Sequence, residues 1–127
     1  MKKFIYTLAA LLMAAALSSC DGEIKNATTK NLIGTWDLVS ETITYTTGTK
    51  TTTEKSGEYI VIGESTFTTV SGGTQTEYPF SFSNPDLIIN GTNLYDLESL
   101  SRKEMILSSN LPLGILISEH TYTYRRR

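Results

Sequence analysis

From Gly34 onward, no stretch of the chain repeats its apolar residues at helical spacing. The apolar positions fall in short runs and alternations, separated by glycine, asparagine and proline. A chain written this way is limited to short strands joined by tight reversals. The clearest stretch is Thr74 to Ser83, where Tyr78, Phe80 and Phe82 alternate strictly and present one apolar face. Pro79 interrupts that run without an amide to donate, so it belongs at an edge or a widely spaced part of a ladder.

The stretch Asn31 to Tyr45 holds the only tryptophan, Trp36, two residues after Gly34. Trp36 and Leu38 share one face, whereas Val39, Ile43 and Tyr45 share the other, so the apolar phase flips near Leu38. A bulge or bend in a long first strand does this. Gly48 lies between two threonine-rich arms, which reads as a hairpin wet on both faces. Tyr59 to Ile62 is a short apolar strand and Ser65 to Val70 another. Gly72-Gly73, Asn84-Pro85-Asp86 and Asn90-Gly91 are turn signals. Leu87 to Ile89, Asn93 to Leu100, Met105 to Leu107 and Leu116 to Tyr124 supply further strands, with a charged turn at Ser101 to Glu104 and a loop at Asn110 to Gly114. The expectation is an all-β domain with no helix, in which about eight antiparallel strands form a small up-and-down barrel, since closure removes exposed edges.

The start of the chain has a different character. Met1-Lys2-Lys3 is basic, Phe4 to Leu17 is apolar, and Leu17-Ser18-Ser19-Cys20 ends in the only cysteine. The apolar run is shorter than the roughly 20 residues a membrane-spanning helix needs, which suits a cleaved helical signal peptide over residues 1–19. The order resembles the bacterial lipoprotein signal and implies lipidation of Cys20. Two or three acyl chains anchor a protein stably where one does not. Residues 20–30 then read as the lipidated cysteine and a flexible tether, and residues 31–127 as the barrel. A lipidated Cys20 leaves no thiol for disulfides, nucleophilic catalysis or metal binding.

The formal charge of −2 becomes −4 once Lys2 and Lys3 are removed, which argues against a nucleic-acid partner. The three arginines Arg125 to Arg127 are too few for a basic patch and read as a solvated strand end. His120 is the only histidine, and alone it anchors neither a common zinc site nor a serine triad. It reads as a satisfied or exposed strand residue. No spacing among Glu54, Glu58, Glu64, Glu77, Asp86, Asp96, Glu98 and Glu104 selects an acid pair, so they read as rim charges. The sequence points to no catalysis, metal or cofactor. The aromatics Tyr59, Phe67, Tyr78, Phe80, Phe82, Tyr95, Tyr122 and Tyr124 serve either as core packing or as the lining of an apolar pocket.

Leu32-Ile33-Gly34-Thr35-Trp36-Asp37-Leu38 resembles the Gly-x-Trp opening of the calycin superfamily, the lipocalins and their relatives. Together with the lipobox, the stretch Leu100 to Leu107 and the tail Tyr122-Thr123-Tyr124-Arg125, it is similar to the lipocalin-like lipoproteins of Bacteroidetes. The resemblance implies a barrel closed by Gly34 and Trp36 with an arginine of the last strand packed on the indole. Arg125 stands at that place, with Arg126 and Arg102 as alternatives. It further implies an outer-membrane lipoprotein. The expectation for the barrel is a small hydrophobic ligand, with the strand aromatics Tyr59, Phe67, Tyr78, Phe80, Phe82, Tyr95 and Tyr122 as the pocket lining. A shorter barrel filled by side chains, docking a protein or glycan partner, is the other expectation.

Overall fold

The computed structural model describes residues 22–112 and 114–127. The expected signal segment, residues 1–19, and Cys20 lie outside the described residues. A one-turn helix, α1 (Thr29–Leu32), precedes nine strands: β1 (Gly34–Tyr45), β2 (Lys50–Glu54), β3 (Tyr59–Ile62), β4 (Thr66–Ser71), β5 (Thr74–Ser83), β6 (Asp86–Ile89), β7 (Thr92–Leu100), β8 (Glu104–Ser109) and β9 (Ile117–Arg126). The chain is therefore almost entirely β, as its spacing predicts, although the expectation of no helix misses α1.

Strands β3 to β9 form an antiparallel meander, and β9 returns to pair with β1. Eight strands thus close a barrel, and β2 lies outside the ring as a hairpin arm. This architecture is compatible with the lipocalin-like fold that the sequence resembles. The first strand makes closure possible. One edge of β1 pairs with β9 from Trp36 opposite Arg126 to Tyr45 opposite Ile117. Its other edge pairs with β3 over Gly34 to Asp37 and with β2 over Ser40 to Thr44. The changeover falls at the predicted phase flip. Thr123 faces Ser40 and Tyr124 faces Leu38, so Val39 has no opposite residue and forms a bulge. Residues 55–58 bridge the gap beside it, with Leu38 N donating to Glu58 O at 2.9 Å and Lys55 N to Val39 O at 3.0 Å.

The Gly72-Gly73 and Asn90-Gly91 reversals take positive φ at both residues, the conformation that matches strand twist in two-residue hairpins. These two reversals lie at one pole of the barrel together with the β1–β2 and β8–β9 loops. The opposite pole is closed. There Trp36, Ile62, Leu87, Leu100 and Met105 are fully buried.

Closure reaches further upstream than the sequence implies. The stretch read as a tether docks on the closed pole, because Ile24 N donates to Leu100 O at 2.6 Å and Ala27 is buried, and just after it Leu32 is fully buried. Short apolar residues among polar ones carry no periodicity, so this packing leaves no pattern to read. Trp36 Nε1 donates to Leu32 O at 2.9 Å and binds the indole to α1.

The cation on Trp36 is Arg126, not Arg125. Its guanidinium carbon lies 4.2 Å from the indole ring centroid, within cation–π range. Its Nε donates to Arg102 O at 2.6 Å, Nη1 to Ile33 O at 2.7 Å and Nη2 to Asn31 O at 2.9 Å. The strand period decides this: Tyr122 and Tyr124 turn into the barrel, so Arg126 shares their face while Arg125 is exposed. Gly34 explains itself here, since a Cβ at that position would stand 2.5 Å from Arg126 Nη1. Nor is the arginine tail simply solvated. Arg127 lies 4.2 Å from the Tyr59 ring centroid and pairs with Asp37 at 2.7 Å.

Candidate functional site

Above the closed pole the barrel is not filled. A cavity of about 320 Å³ opens toward the hairpin loops, lined by Phe67, Thr69, Tyr78, Ile89, Asn90, Thr92, Leu94 and Tyr95. A smaller one of about 160 Å³ lies against β1 and β9, with Leu38, Glu41, Glu58, Ile60, Thr69, Tyr95, Tyr122 and Tyr124 in its wall. Thr69 and Tyr95 border both, so the two are adjoining chambers of one interior. The larger lies at the low end of the range for small-molecule sites, roughly 300–1,000 Å³.

The aromatics expected to line a pocket divide into three groups. Phe67, Tyr78 and Tyr95 line the larger chamber, and Tyr95 and Tyr122 the smaller. Phe80 and Phe82 belong to the core instead. Phe80 is buried with its ring centroid 5.8 Å from that of Phe67, and Phe82 packs against the same cluster. Tyr59 borders the smaller chamber, but its neighbours Ile60 and Ile62 are the buried residues of β3, and its own ring sits under the exposed Arg127. Alternation along β3 therefore puts that ring on the outer surface.

The interior also holds a polar group that sequence reasoning passed over. Glu41 lies beyond the Val39 bulge and turns into the barrel opposite Tyr122. Its Oε1 is 3.0 Å from His120 Nε2 and its Oε2 is 3.4 Å from Lys55 Nζ. The His120 ring stacks on Tyr122 with centroids 4.4 Å apart, and Tyr122 meets Tyr95 edge to face at 5.6 Å. His120 is thus a partnered residue of β9, outside the lining of either chamber. The signal for Glu41 was present: once the phase flips at Val39, Glu41 falls on the inward face with Ile43 and Tyr45.

Burial and the nearby carboxylates hold these phenols neutral. The Tyr122 pKa is pushed up to about 12 by burial first, then by Tyr95 and Glu41. Burial and Glu41 raise Tyr95, and burial raises Tyr124 furthest, with Glu41 and Glu58 adding to it. A phenol so held is a hydrogen-bond donor and not a nucleophile. Among the described residues no group of three or more histidine, cysteine, aspartate or glutamate side chains could hold a metal ion.

Fold and site together define a small closed β-barrel with a two-chambered, aromatic-lined interior. Comparison with protein-family models, curated proteins and solved structures finds no match for this chain.

Proposed function

We propose that the protein is a binding protein of the cell envelope that holds one small, largely apolar molecule inside its barrel and catalyses no reaction. The observation that carries this is the unfilled interior, with chambers of about 320 and 160 Å³ joined at Thr69 and Tyr95. A barrel with only a structural role gains stability by filling such space. The phenols favour binding over chemistry, because their raised pKa values oppose nucleophilic or basic use.

In this reading Cys20 carries the lipid and the outer membrane is the favoured location. The geometry then orients the barrel. Ile24 is fixed at the closed pole, and four residues span at most about 14 Å, so a lipid on Cys20 holds that pole near the bilayer. The mouth faces away from the anchoring membrane. Metabolic labelling with a fatty-acid analogue tests the anchor: label is expected on the protein and absent from Cys20→Ser.

Native mass spectrometry of the gently purified protein tests the binding. A co-purified small mass, or saturable one-to-one uptake of an apolar probe, is expected. A bare mass with no saturable uptake overturns the reading. One observation favours a second role, docking of the mouth on a protein or glycan partner. Leu111, Ile115 and Leu116 are exposed beside the mouth, Ile115 at 90%. A membrane pull-down that recovers only the bait would remove it.

A further inference from the structure

The wall of the smaller chamber is charged in one sense. It contains two carboxylates, Glu41 and Glu58, and no lysine, arginine or histidine. The two acids differ in their partners. Glu41 pairs with Lys55 at 3.4 Å and is hydrogen-bonded to His120 at 3.0 Å. The Glu58 carboxylate has no cation within ion-pair distance among the described residues, and it shares the chamber wall with Tyr124. A carboxylate with no cation partner in the wall of a chamber is open to a charge-assisted contact with a cationic group that a ligand brings.

The remaining wall is suited to the same kind of group. Tyr95, Tyr122 and Tyr124 line the same space. Aromatic faces attract cations, and rings combined with an acid are the usual chemistry for holding an alkylammonium. A carboxylate headgroup, by contrast, would meet two acids and no base. The space itself, about 160 Å³, admits a compact headgroup but not a long chain. The adjoining chamber, lined by Phe67, Tyr78, Ile89 and Leu94, offers an apolar route toward the mouth.

We infer that the smaller chamber is a site for an organic ammonium group, and that the ligand is an amphipathic amine whose apolar part lies in the larger chamber. This rests on the binding reading above. Glu58 supplies the countercharge and the three tyrosines supply aromatic wall, while Glu41 is engaged by Lys55 and His120. The site selects by charge at its inner end and by shape at its outer end.

Calorimetric titration of the purified protein with three probes of equal chain length, decylamine, decanol and decanoate, tests this. Decylamine is expected to bind at least about tenfold tighter than decanol, a difference that one charge-assisted contact provides, with decanoate the weakest. Glu58→Gln, which keeps size and shape, is expected to remove the preference for the amine, so that decylamine and decanol bind the variant equally. Circular dichroism and the thermal midpoint of the variant show that it is folded. If decanol binds as tightly as decylamine, or if the preference survives Glu58→Gln, the ammonium site is wrong while the binding reading stands. If none of the three binds, the binding reading fails and this inference fails with it.

Discussion

Arg126 ties four partners together at the closed pole of the barrel. One face of the guanidinium covers Trp36, and its edge donates to the carbonyls of Asn31, Ile33 and Arg102. Hydrogen bonds to a charged group contribute more than neutral ones, so Arg126→Ala is expected to cost about 2–3 kcal/mol. Arg125→Ala, at an exposed position, should stay within about 0.5 kcal/mol. Urea unfolding followed by Trp36 fluorescence separates the two variants, and equal losses would contradict the assignment. The choice between the arginines was legible in principle. Resemblance pointed to Arg125 by position, whereas counting in twos from Tyr122 through Tyr124 leads to Arg126. Glu41 is the parallel case on β1, where the count must skip Val39 before it comes out right.

At the scale of elements, the turns and the alternating strands were the easiest parts to read. Gly72-Gly73 and Asn90-Gly91 form tight reversals because few other residues accept positive φ at both positions. The N-terminal segment was not legible. It packs through Ile24, Ala27 and Leu32, isolated apolar residues in a polar stretch, and α1 has only four residues over which to show a period. The two ways of treating that segment predict different stabilities. A chain beginning at Asn31 should be less stable than one beginning at Gly22 by about 1.5–3 kcal/mol, the apolar burial of Ile24 and Ala27. Denaturant midpoints that coincide would return the segment to the status of a tether. Which aromatics would line a cavity and which would fill the core was hidden for another reason. Phe67 and Phe80 both point inward, and only the register of β5, which sets Phe80 beside Ser65 at the closed-pole end, decides which one meets open space.

For the molecule as a whole, three phenols raised together give stability a pH dependence. In the folded protein each stays neutral where the unfolded chain's tyrosine would ionise. The folded state therefore binds more protons than the unfolded one above pH 10, and stability falls as pH rises there. The stabilising effect is complete below pH 10 and fades as pH climbs toward about 12, where Tyr122 titrates. Thermal unfolding points measured across that window should fall more steeply than in a Tyr122→Phe variant. Parallel curves would show that Tyr122 is not the group responsible.

The seam between β1 and β9 also sets an order of events in time. Arg126 reaches back 95 residues to Asn31, and β9 covers the full length of β1. While the chain is emerging from a ribosome or a secretion channel, the meander from β3 to β8 can pair strand by strand with near neighbours. Trp36 stays uncovered until β9 arrives, and the barrel has no inside until then. Contacts between such distant residues form slowly, and this one comes last. The smaller chamber takes part of its wall from both β1 and β9, so it is complete only once the seam has shut.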